Sequence, residues 1–84
     1  MSSFSRSRAQ VQVRRSELDT ALQDLARREA LHKRRMVAEE ELAHARSMVA
    51  TRRAQLVLAE RESDMRQASI AGTSIETHPS VAAS

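Results

Sequence analysis

Between Ser7 and Ala71 the chain contains no glycine, no proline and no asparagine. Its single glycine is Gly72 and its single proline is Pro79. These residues interrupt helices most reliably, at about 1 kcal/mol for glycine and about 3 kcal/mol for proline in a helix interior. A breaker-free stretch of about 64 residues, rich in Ala, Leu, Arg, Glu and Gln, predicts helix throughout. As one rod, at ~1.5 Å per residue, it would reach roughly 95 Å.

Such a rod needs company. The chain has 84 residues, one aromatic (Phe4) and no cysteine, so neither aromatic packing nor disulfides can stabilise a small core. Much of its apolar content is alanine, which gains little on burial. Stability must come from another helix, supplied by a homo-oligomer, by a helical protein partner or by the chain itself. The longest apolar run, Leu56-Val57-Leu58-Ala59, is far short of the ~20 residues that span a bilayer, so no membrane insertion is expected.

Charge divides the chain. Residues 1–16 carry Arg6, Arg8, Arg14 and Arg15 and no acid, whereas residues 17–84 hold ten Lys or Arg against eleven Asp or Glu. The expected organisation is a disordered Ser/Arg-rich arm over residues 1–7, a coiled-coil helical region over 8–71 and a flexible tail over 72–84. Ser7 with Gln10, or Ser16 with Asp19, fits a capping box at the start of the helix, and Gly72 fits the residue that ends one. The acid-free arm suits either a targeting leader or an unstructured terminus. Along the helix, acidic and basic bands alternate, with Asp24–Arg28, Glu29–Lys33 and Glu62–Arg66 at the favourable i,i+4 spacing.

The apolar residues form two stripes. Leu18, Leu22, Leu25 and Met36 follow a 4-3 spacing, with Glu29 and His32 between them as polar residues that set register. Leu31, Ala38, Leu42, Ala45, Val49 and Leu56 make a second stripe on roughly the opposite side of a straight helix. Two stripes require either contacts with more than one helix or a bend between residues 29 and 38. Segments 17–30 and 41–54 are weakly similar, which favours a fold-back, but His32-Lys33-Arg34-Arg35 contains no turn residue. The expected fold is therefore all-α and of coiled-coil type, either one long helix or an α-helical hairpin, with disordered termini. The expected partner-helix interface comprises Leu18, Leu22, Leu25, Leu31, Met36, Leu42, Val49, Leu56 and Leu58.

Chemistry finds little foothold. Glu29-Ala30-Leu31-His32 and Glu41-Leu42-Ala43-His44 place a carboxylate and an imidazole on one helix face, as di-iron bundles do. Their histidines, however, lie about 120° apart around a straight helix. No nucleophile–base pair or phosphate-binding glycine loop occurs. No catalytic, cofactor-binding or metal-binding residue is expected, and the protein is not expected to be an enzyme. An alternative is a dimeric basic helical protein that binds nucleic acid through its N-terminal arm, with Arg14, Arg15, Arg27 and Arg28 on the phosphates. The interleaved acids and the lack of stacking aromatics oppose it.

Residues 40–67, EELAHARSMVATRRAQLVLAERESDMRQ, combine arginine doublets, scattered Leu and Ala, and frequent Glu-Arg pairs. In this the segment resembles the small coiled-coil proteins of bacterial type III secretion and flagellar export, closest to their central stalk family. That resemblance implies a helical hairpin engaging an export ATPase ring, hence a non-enzymatic adaptor or assembly protein in the bacterial cytoplasm at an export apparatus. It assigns no individual residue.

Overall fold

The structure is a computed structural model that describes the backbone of residues 3–83 and the side chains of residues 5–69. Two helices, α1 (Ser3–Lys33) and α2 (Glu39–Ala83), fold back on each other through a turn at residues 34–38. The molecule measures 73 × 22 × 13 Å. Of the two expected architectures, the hairpin is the one formed, and the change of stripe between residues 29 and 38 marks its turn.

The turn is built without any residue specialised for it. The Met36 N–H donates to the Leu31 carbonyl at 2.9 Å and the Arg35 N–H to the His32 carbonyl at 2.9 Å. This is the paired bonding of a Schellman motif, which caps the last carbonyls of a helix and requires a left-handed residue. Arg35 fills that position, with φ of 57°, where glycine would be free of the Cβ clash that costs about 1–2 kcal/mol. Ala38 immediately precedes α2 in the capping position, its carbonyl accepting from the Glu41 and Leu42 N–H groups at 3.1 and 3.2 Å. Its methyl cannot cap the first turn, but Glu39, Glu40 and Glu41 occupy that turn, where negative charge suits the helix dipole.

The seam between the helices follows a 4-3 spacing in both. In α1 it contains Ser7, Val11, Arg14, Leu18, Ala21, Leu25, Arg28 and His32, all buried or half-buried. In α2 it contains Leu42, Ala45, Val49, Arg52, Leu56, Ala59 and Ser63, likewise. Leu42 and Val49 are only 4% and 7% exposed. Large apolar residues thus alternate along each helix with Ala, Ser or Arg. Alanine lets the backbones approach, and arginine lays its aliphatic stem on the seam with its charged head at the edge.

Three expected interface residues lie elsewhere. Leu22 is exposed because Ala21, one position earlier, takes the seam. Met36 is 66% exposed because it sits in the turn rather than on a helix face. Leu58 is 61% exposed because Leu56 and Ala59 hold the seam on either side of it. The helices also outrun their sequence signals: α1 begins at Ser3 rather than Ser7 or Ser16, and α2 passes Gly72. The expected arm, residues 1–7, and tail, residues 72–84, fall largely outside the residues whose side chains are described.

Candidate functional site

A two-helix seam leaves two long flanks and two outer faces open. One flank is a shallow groove. Gln10, Glu17 and Asp24, each seven residues apart, line it from α1; Met48, Gln55 and Glu62, also seven apart, line it from α2. Leu58 lines the same groove. Met65, one heptad further on α2, is 70% exposed. On α1, Val13 is exposed as well. The opposite flank is more polar, with Arg8, Arg15, Glu60 and Asp64 around a second depression.

Ion pairs tie together several of the charged residues along both flanks. Asp24 accepts from Arg28 Nε at 2.9 Å and from Arg27 Nη2 at 2.6 Å. The hydrogen bond from Arg28, then that from Arg27, holds the Asp24 carboxyl below the usual carboxylate range. Arg28 in turn has its pKa raised, chiefly by the same bond, and reaches across to Glu41 of α2 at 3.4 Å. Arg14 pairs with Glu17 at 3.0 Å, and Arg52 donates to the Gln55 side-chain oxygen at 3.1 Å. Arg15 approaches Glu60 across the helices at 3.7 Å.

The structure therefore sorts the residues singled out from sequence. Leu18, Leu25, Leu31, Leu42, Val49 and Leu56 pack between α1 and α2, so the helix they contact is the chain's own. His32 is half-buried at the seam beside the turn and Glu29 is exposed on α1. Arg14, Arg15, Arg27 and Arg28, considered for phosphate contacts, each face a carboxylate. Among the described residues, no group of three His, Asp or Glu side chains is placed to hold a metal ion, and no helix is long and apolar enough to cross a membrane. Sequence reasoning missed Ala21, Arg52 and Ala59 in the seam. Their signal was spacing alone, since neither alanine nor arginine stands out by hydrophobicity.

Comparison with known proteins agrees with this architecture. No curated protein matches the chain, and no solved structure matches it. One family model does, that of the EmrA alpha-helical hairpin domain, over residues 1–84. The family supports a helical hairpin of membrane-fusion-protein type rather than an export stalk, and it is an adaptor family, not a catalytic fold. The chain belongs to the EmrA alpha-helical hairpin domain family.

Proposed function

We propose that this hairpin is the contact element of a transport-related adaptor, and that it works by docking a helix of another protein along its grooved flank. The observation that carries this reading is the distribution of apolar side chains. The seam uses small and mixed residues to close on itself, while Leu58 and Met65 remain more than half exposed one heptad apart on α2. Beside them, the groove offers Met48 and the amides of Gln10 and Gln55. An apolar row rimmed by polar groups is how an amphipathic helix is received. Membership in an adaptor family gives the same class of partner. The type III export setting expected from residues 40–67 rests on that resemblance alone and forms no part of the proposal.

The nucleic-acid alternative is the weaker reading, because its four arginines are matched by acids along both flanks. Site-directed photocrosslinking tests the proposal. A photoreactive side chain at position 58 or 65 should label a helical protein, and one at Ala9, exposed on α1 away from the groove, should not. Leu58→Glu should abolish labelling from position 65 while leaving helicity by circular dichroism intact. Equal labelling from positions 9 and 58 would refute the assignment of the flank.

A further inference from the structure

The seam does not stop at the turn. Counting every seventh residue from Ser7 gives Arg14, Ala21 and Arg28 in α1, then Leu42, Val49, Leu56 and Ser63 in α2, and all of them are buried or half-buried between the helices. The row keeps its seven-residue count straight through the loop. The one member off the seam is Arg35, which falls between Arg28 and Leu42 and is the residue with φ of 57°. If residues 34–38, of which Arg35 holds the positive φ, took right-handed helical angles, a single heptad row would run through one continuous helix. Nothing in Arg34-Arg35-Met36-Val37-Ala38 opposes helix, since none of these residues is glycine, proline or asparagine. The companion row moves from four residues after this one in α1 (Val11, Leu18, Leu25) to three after it in α2 (Ala45, Arg52, Ala59). Coiled coils absorb such a phase change by a local adjustment of winding.

We infer that the hairpin opens at Arg35 and exchanges helices with a second copy of this chain. In the exchanged dimer, two continuous helices lie antiparallel, and each α1 rests on the other chain's α2. The antiparallel order of the hairpin is kept, so the seam and the Arg15–Glu60 and Arg28–Glu41 pairs re-form between chains and no new surface is needed. A short hinge held in an unfavourable backbone conformation is the circumstance that promotes such exchange. The inference stands apart from the docking flank, which could fail without affecting it.

Particle length separates the outcomes. The hairpin is 73 Å long; in the exchanged dimer the two helices cross at residues 34–38 and the longer arm, α2, projects at both ends, so at ~1.5 Å per residue the particle would be roughly 140 Å. The chain should be refolded across micromolar to millimolar concentrations and measured by small-angle scattering coupled to size exclusion. The expected result is a monomer of hairpin length that gives way, with rising concentration, to a dimer of the longer dimension. Arg35→Gly favours the left-handed turn and disfavours the continuous helix in both chains, so it should weaken the dimer on the order of a hundredfold. A dimer that keeps the 73 Å length, a monomer at every concentration, or a long dimer indifferent to Arg35→Gly would overturn the inference.

Discussion

Replacing Leu42 by alanine tests which face of α2 closes the molecule. Leu42 is 4% exposed in the first turn of α2. The change removes about 70 Å² of buried apolar side chain, which at ~25 cal/mol per Å² amounts to roughly 1.8 kcal/mol. A residual cavity would add to this, although a structure of only two helices collapses around a gap more readily than a layered core. The total should therefore be about 2–3 kcal/mol, near the lower end of the range for such substitutions. The control is Leu58→Ala, at a position 61% exposed, where a loss of about 0.5 kcal/mol or less is expected. Both are leucines of the same helix, so helix propensity cancels between them. Urea unfolding followed by circular dichroism should show a lower midpoint with an unchanged slope for Leu42→Ala and little shift for Leu58→Ala. If the two variants lose equal stability, or Leu58→Ala loses more, the seam assigned to α2 is wrong.

Acid should loosen the chain through Asp24. Its carboxyl has a lowered pKa in the folded state, so the stability it contributes is complete above the ordinary Asp value of about 3.9 and is lost as pH falls through the folded value. Asp24→Asn should flatten the pH dependence in that window, and NMR titration should place the wild-type carboxyl below the ordinary Asp value; an ordinary titration would remove the argument. Arg28 is half-buried between Asp24 and Glu41 and its charge is favoured in the fold, so Arg28→Met should lower the melting temperature at neutral pH, because it takes from both carboxylates the partner they share. Thermal melts of Arg28→Met should also depend less on salt, and a melting temperature equal to or above that of the unsubstituted chain would show that the ion-pair cluster does not hold the helices together.

Helix was legible because its evidence is cumulative: between Ser7 and Ala71 dozens of positions each favour it slightly and none is a breaker. The seam of α2 was legible through Leu42, Ala45, Val49 and Leu56, where bulk and spacing agree. The seam of α1 was half legible. Leu18 and Leu25 stood out, but Leu22 drew attention from Ala21, because hydrophobicity ranks leucine first while geometry places the smaller residue inside. The turn was hidden for a plainer reason. Its left-handed position holds Arg35 and its helix start holds Ala38, so neither glycine nor a capping hydroxyl announces it. What stabilises the turn is the burial gained just beyond it, at Leu42, Ala45 and Val49, when the two stripes meet. The exposed pair Leu58 and Met65 could be recognised only once the seam had been assigned, since spacing alone gave Leu58 to the interface.

The buried apolar residues are unevenly placed. Leu42, Ala45 and Val49 all lie within about three turns of the start of α2, and toward the open end only Ala59 joins them among the described residues. Regions with few buried contacts open at little cost, well below the free energy of complete unfolding. The hairpin should therefore behave like a pair of tweezers sprung at the bend. Amide exchange should be slowest around residues 42–49 and the α1 segment opposite, and should quicken steadily toward the open end. The two free ends would part and close many times for each event that unfolds the whole molecule, so a partner arriving at that end meets a moving surface, and one arriving near the bend meets a fixed one.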